Sequence, residues 1–306
     1  MQMTHHRATF CFLLLILPLT LSAQEKKRPT AGGTQSGPAG KVYIYKESAG
    51  KPRRMEIYFP PQHDPANAKV PGLILFHGGA WAGGTLAQFR TACDYFASRG
   101  LVTATVEYRM LNKMEAAALP AGETRKRVCI TDAKSAIRWF KQHAEELGID
   151  PSRIITGGGS AGGHISVLAT TNPGLNDPND PQDVDTSVVA YLLFNPAFAP
   201  DDVRDKEVDV LRHAKPDLSP AIVFFGTNDN WKTGWDQLYG KLVQEGNKTI
   251  DLQIAADQAH GFFNREPWQT VCISAADRFL VKQGLLSGEP TRKLPTTGEK
   301  LTPHQP

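Results

Sequence analysis

The stretch Arg153–His164, "RIITGGGSAGGH", limits the possible folds more than any other part of this chain. A β-branched run feeds into glycines that surround one serine, and a short helical pattern follows. Two machines share that layout. Gly157-x-Gly159-x-x-Gly162 has the spacing of a dinucleotide-binding fingerprint, and Gly158-x-Ser160-x-Gly162 has that of a turn that projects a nucleophilic serine. A plain glycine-rich turn is the third reading.

The dinucleotide reading needs a helix and then a second strand ending in an acid that holds the ribose. Here the helix is short and gives way to turn residues around Pro173, Pro178 and Pro181, so Asp177 and Asp180 fall in a loop. Four or more strand candidates also precede the glycines, whereas that fingerprint usually opens its domain. The nucleophile reading accounts for the composition better. A serine on a tight, strained turn tolerates only tiny residues two positions away, which Gly158 and Gly162 supply. A helix opening at Ala161 aims free N–H groups and a positive dipole end at the serine.

The surrounding rhythm fits the same picture. Strand candidates are Val42–Tyr45, Met55–Phe59, Leu73–Phe76, Leu101–Glu107, Arg153–Thr156, Val188–Phe194, Ala221–Phe225 and Ile250–Ile254. From the third onward they are apolar runs without alternation, as expected of strands covered on both faces. Between them lie helical periodicities such as Ala133, Ala136, Ile137, Phe140 and Trp235, Leu238, Tyr239, Leu242, and a further one follows the last strand at Cys272, Ala275, Ala276, Phe279. The expectation is an α/β fold: a mostly parallel, twisted, eight-stranded sheet with helices on both faces and its first two strands paired as an edge hairpin. The polar segment Pro196–Pro220 reads as a small lid, and Leu111–Arg127 as a second irregular connection.

The chain ends read differently. His5, His6 and Arg7, the apolar run Phe10–Leu21 and the ending "LSAQ" make residues 1–23 a signal peptide cleaved after Ala23, and hence a secreted or periplasmic protein; a retained membrane anchor is the alternative. Residues 24–40 and 287–306, rich in Pro, Gly, Thr and charge, read as a disordered linker and tail around a catalytic domain at 41–286. Within 306 residues and a net charge of +3, the basic residues are scattered, with Lys26, Lys27, Arg28, Arg292, Lys293 and Lys300 near the ends. That excludes a coherent nucleic-acid surface. Cys93, Cys129 and Cys272 are too widely spaced for zinc and read as buried free thiols.

Acyl transfer from Ser160 needs a base, a group to orient it and donors for the oxyanion. "GTNDN" after the seventh strand offers Asp229, and "AADQAHGFF" after the eighth offers His260. Of nine histidines, His260 alone sits just past a late strand, while His164 reads as packing. Asp257 and the lid acids compete with Asp229. "HGGAW" after the third strand offers the N–H of Gly79 or Gly78, to act with that of Ala161. Trp81, Trp231, Phe262 and Phe263 flank this site as an aromatic wall.

Taken in order, "HGGAW", "EYR", "DAKSAIRWF", "GGSAGGH", "FFGTND" and "AHGFF" resemble the secreted α/β-hydrolase esterases, near the hormone-sensitive-lipase-like and feruloyl/acetyl-xylan-esterase-like groups. The resemblance spans 42–284. It implies Ser160 as nucleophile with Asp229 and His260 as partners, and no cofactor or metal. It also implies a small ester or polysaccharide-linked ester substrate and no membrane insertion once the leader is removed. The oxyanion loop departs from the pattern in ending on Ala80 where a third glycine is usual. A prolyl-oligopeptidase-like serine peptidase shares the triad and is the alternative activity; a hydrolase-fold binding protein is the alternative of another class.

Overall fold

The computed structural model describes Met1 and residues 37–304. The signal-peptide expectation, and the linker up to residue 36, lie outside the described residues. Described residues 37–304 fall in one compact unit.

Its centre is a nine-stranded sheet: β1 Lys41–Ser48, β2 Lys51–Tyr58, β3 Val70–Phe76, β4 Val102–Val106, β5 Ile149–Gly159, β6 Ala190–Phe194, β7 Ala221–Gly226, β8 Ile250–Ala255 and β9 Leu301–Pro303. Spatial order is β1-β2-β4-β3-β5-β6-β7-β8-β9. β1 and β2 form the antiparallel edge hairpin, and β4 through β8 run parallel. Eight helices accompany them: α1 Arg90–Ser98, α2 Lys113–Ala117, α3 Arg125–Gln142, α4 Ala144–Leu147, α5 Ala161–Thr171, α6 Val210–His213, α7 Lys232–Gln244 and α8 Trp268–Lys282. None among the described residues is long and apolar enough to cross a membrane.

The missing alternation in the central strands has a direct cause. Ile74 and Phe76 of β3 enter the core built with α3, α5 and α7, while Leu73 and Leu75 enter a second core built with α1 and α8. β6 and β7 divide likewise, with Leu193 and Val223 on one face, Leu192 and Phe224 on the other. A strand buried on both sides has no reason to carry polar residues at every second position. The three periodic helices expected from the sequence bury those same residues. Cys93, Cys129 and Cys272 are buried free thiols, and burial pushes each pKa up, which keeps them protonated.

The tail corrects the sequence reading. Instead of a disordered 287–306, the chain crosses back and adds β9 antiparallel to β8 as a ninth strand. Arg99 donates to the Ser287 and Gly288 carbonyls, Tyr95 Oη accepts the Thr291 N–H, and Arg292 pairs with Glu266 at 2.7 Å. Polar composition signalled disorder here, but these polar groups are spent on specific bonds to helices far away in sequence. The anchor is Asp277, fully buried on α8, which accepts from Arg99 Nε at 2.7 Å and from Tyr95 Oη at 2.6 Å. Removing one partner of such a pair strands the other charge. Arg99→Ala is expected to cost about 3 kcal/mol in chemical denaturation and to open the chain after Ser287 to limited proteolysis. Wild-type stability with an uncut tail would contradict this account.

Candidate active site

Five parallel strands end on one rim, and the chain leaving each supplies one part of the site. β3 leads to His77–Gly79, β5 to Ser160, β6 to Asn195, β7 to Asp229 and β8 to His260.

Ser160 has φ 52° and ψ −119°, the strained geometry expected of a projecting serine, and α5 starts at the next residue. The glycines around it are explained by close backbone approaches. A Cβ on Gly157 would lie 1.9 Å from the Leu192 carbonyl oxygen, on Gly158 2.3 Å and on Gly162 1.9 Å from that of Phe76. No side chain fits at any of the three. β5 therefore runs on through its glycines, pairing Gly158 with Phe76 and Leu193. The Ser160 N–H donates to the Phe194 carbonyl at 2.9 Å, tying the turn to β6.

Ser160 Oγ lies 2.8 Å from His260 Nε2. His260 Nδ1 lies 2.9 Å from Asp229 Oδ2 and 3.1 Å from Oδ1. A carboxylate only accepts, so the imidazole proton sits on Nδ1 and the Nε2 lone pair faces the serine hydroxyl. The Asp229 side chain is fully buried, while that of His260 is 32% exposed. Two more donors converge on this carboxylate: the Trp231 N–H on Oδ1 at 2.9 Å and Asn195 Nδ2 on Oδ2 at 2.8 Å. Asp257, a sequence rival, stays exposed and only its N–H is engaged, by Thr227 Oγ1 at 2.8 Å.

Asn195 was not legible in the sequence. It is fully buried at the end of β6, has φ 48°, and its Oδ1 accepts the Gly261 N–H at 3.2 Å while its amide nitrogen serves Asp229. One side chain thus joins the acid to the peptide that follows His260. Its only sequence signal was a polar residue directly ending an apolar strand.

On the oxyanion side, the structure separates the two glycines. The Gly78 N–H is taken by Gln88 Oε1 at 2.6 Å, so it is not free to meet a substrate oxygen. Gly79 is exposed, with φ 129°, and a Cβ there would fall 2.2 Å from the Gly83 carbonyl oxygen. Ala161 stands at the first position of α5, directly after Ser160. Behind this loop His77 is fully buried, stacks on Tyr108 at 4.4 Å and donates from Nδ1 to the Gly78 carbonyl at 2.8 Å.

The aromatic wall divides. Phe262 is fully buried and meets Trp268 edge-on at 5.4 Å, so it belongs to the core and corrects the expectation of a substrate contact. Its place next to Gly261 in sequence hid that the chain turns inward there. Trp231 is half-buried with its ring 6.2 Å from that of His260. Trp81 is 7% exposed, its ring 6.2 Å from that of Trp231 and 4.1 Å below the Lys126 ammonium. Lys126 in turn pairs with Asp202 in the lid segment, which His164 of α5 also meets at 3.3 Å. His164 is fully buried and bonds the Val208 carbonyl at 3.0 Å, a packing role as its sequence position implied.

A family model described as BD-FAE matches residues 55–195, which include the serine turn and stop before Asp229 and His260. Carboxylesterase NlhH of Mycobacterium tuberculosis is 33% identical over 243 residues, 69% of this chain and 71% of NlhH. The chain belongs to the α/β-hydrolase carboxylesterases. Within them it is of the hormone-sensitive-lipase-like type, and it is a carboxylic ester hydrolase. The "Probable carboxylic ester hydrolase LipM" of M. tuberculosis is 32% identical over 191 residues, 57% of this chain; the chain spans 41% of LipM. Among solved structures, the apo form of Thermogutta terrifontis esterase 2 superposes with a TM-score of 0.73 at 33% identity, covering 82% of this chain and 97% of that one.

The buried His77 yields a pH prediction for this esterase. Burial pulls its pKa down to about 4 from 6.5, so the folded protein keeps it neutral while the unfolded chain protonates it. Stability from this group is complete above pH 6.5 and is lost as pH falls toward 4, by about 3 kcal/mol at most. Urea midpoints measured from pH 7 to 4 should fall less steeply in His77→Phe than in wild type. Parallel profiles would contradict this origin of acid sensitivity.

Proposed function

We propose that the chain is an exported serine carboxylesterase for short-acyl or aromatic esters. The observation that carries this reading is the unbroken run Ser160 Oγ–His260 Nε2 at 2.8 Å and His260 Nδ1–Asp229 at 2.9 Å. Ser160 attacks the ester carbonyl as His260 takes its proton. Asp229 holds the imidazole tautomer and stabilises its charged form. The oxyanion meets the N–H groups of Gly79 and Ala161, each such donor being worth about 3 kcal/mol. His260 then protonates the departing alcohol, and water, activated by the same imidazole, releases the acid.

The small acyl group follows from what stands beside the nucleophile. A Cβ on Gly159 would lie 2.5 Å from the ring tip of Phe263, so that ring fills the space where residue 159 would carry a side chain. Phe263 stacks on Phe89 at 6.1 Å and meets Phe194 at 5.2 Å, which holds the ring in place beside the serine turn. Thermogutta esterase 2 has been solved with propionate and with butyrate bound, ligands of the size this wall suits. The alcohol side is open past Trp231 and the exposed edge of His260, where a sugar-linked or aromatic alcohol would stack. The leader-like residues 1–23 support export, and export favours esters of plant or envelope polysaccharides.

Full-length protein assayed on p-nitrophenyl acetate, butyrate and decanoate tests this. Ser160→Ala should lower turnover on the order of 10⁵-fold; retained turnover would falsify the nucleophile. Phe263→Leu or Phe263→Ala should raise the decanoate-to-acetate ratio of kcat/KM at least about tenfold, and an unchanged ratio in a folded variant removes Phe263 from the acyl wall. Turnover of dipeptidyl anilides in place of esters would make the chain a peptidase. Acetate or ferulate release from xylan reads the polysaccharide step.

A further inference from the structure

Ser160, Asp229, His260 and two backbone donors complete the chemistry, yet the loops that carry the base and the oxyanion donors come from strands with three others between them. Two side chains outside that machinery join these loops. Gln88 lies in the 3₁₀ turn Leu86–Phe89, just before α1. Its Oε1 accepts the Gly78 N–H at 2.6 Å, and its Nε2 donates to Asn264 Oδ1 at 3.0 Å. Asn264 then donates from Nδ2 to the Gly261 carbonyl at 3.1 Å.

The polarity of this chain admits one arrangement. Gly78 presents only a donor, so Gln88 must turn its oxygen toward it and is left with its NH₂ group. That group requires an acceptor, so Asn264 must offer its oxygen and is left with its own NH₂, which meets the Gly261 carbonyl. Each amide is used at both ends, and neither can flip without losing two bonds. The far side of Gly261 is held as well, since its N–H donates to Asn195 Oδ1 at 3.2 Å. The residue after His260 is thereby gripped at both its polar atoms, toward the acid by Asn195 and toward the oxyanion loop by Asn264.

We propose that Gln88 and Asn264 are positioning residues that lock the oxyanion loop to the His260 loop. Neither touches the reacting atoms. They act by keeping the Gly79 donor and the His260 base in one frame, so that proton transfer and oxyanion stabilisation coincide in the transition state. A shift of about 1 Å in either is enough to cost on the order of 10²-fold. The inference rests on the esterase reading above and adds to it the residues that set its geometry.

The test is steady-state kinetics of the full chain on p-nitrophenyl acetate. Gln88→Glu preserves shape and the acceptor for Gly78, but sets two acceptors against each other at Asn264. Asn264→Asp preserves the acceptor for Gln88 and removes the side-chain donor to the Gly261 carbonyl, which keeps only the Asn264 N–H at 3.1 Å. Each should lower kcat at least about tenfold while KM stays within about threefold, because a misaligned frame weakens the transition state and spares substrate binding. With Ala at both positions the double variant should be no slower than the slower single Ala variant, since both break the same connection and neither adds a charge. Losses that multiply, a rise confined to KM, or wild-type kcat in a folded Gln88→Glu would each overturn the proposal. If Gln88→Glu fails to fold by circular dichroism, Asn264→Asp alone carries the same expectation and the same refutation. Turnover surviving in Ser160→Ala would sink the esterase reading itself; silence there, with wild-type kcat in the positioning variants, sinks only this inference.

Discussion

The structure depends on how closely β5 and the start of α5 pack against the strands beside them. At Gly157, Gly158 and Gly162 the space for a Cβ is already filled by carbonyl oxygens of Leu192 and Phe76. Three-residue exclusion of this kind fixes where the backbone must turn, because the chain can neither relax toward β6 nor lift from β3. Ser160 is then held at φ 52° by its neighbours' packing, with its N–H bonded to Phe194, and the conformational cost falls on the whole sheet. The hydroxyl is positioned before any base approaches it.

Around that turn the polar groups that face Asp229 are paired, while His77 Nε2, Trp81 Nε1 and His164 Nδ1 are buried without a hydrogen-bond partner among the described residues. The Asp229 carboxylate is fully buried, which is costly for a charge, and it meets His260, the Trp231 N–H and Asn195. Those donors replace the water it has lost. Carboxamides suit the second layer because each carries a donor and an acceptor and holds no charge of its own. Asn195, Asn264 and Gln88 therefore extend from the acid, past the histidine loop, to the oxyanion loop without adding another ion to a dry region.

The parts of this design that were legible in the sequence are those with a repeating or one-of-a-kind signature. Unalternated apolar runs revealed strands covered on both faces, and a strand–glycine–serine–glycine–helix run revealed the turn. Asp229 and His260 were found because each follows a late strand in the required order. Asn195, Gln88 and Asn264 carry no such signature: amides are common in loops, and only the folded contacts show which of them are engaged. Phe262 and Phe263 are adjacent, chemically identical and both buried in one core, yet one meets Trp268 and the other lies over Gly159. The tail was misread because composition measures what a segment lacks; Arg99, Tyr95 and Arg292, which hold it, lie outside it or bond across a distance that composition does not register.

Packing beside the serine turn is a property of a pair. Gly159 belongs to the serine turn and Phe263 to the histidine loop, 104 positions apart in the numbering of a single chain. The ring reaches over the backbone beside Ser160 only because residue 159 has no Cβ; any larger residue would push Phe263 back toward Phe89 and Phe194. Enlarging position 159 and truncating position 263 are thus compensating changes, each disruptive when made alone. Close packing of this kind makes the wall beside the serine rigid, because neither partner has slack to give when the other changes.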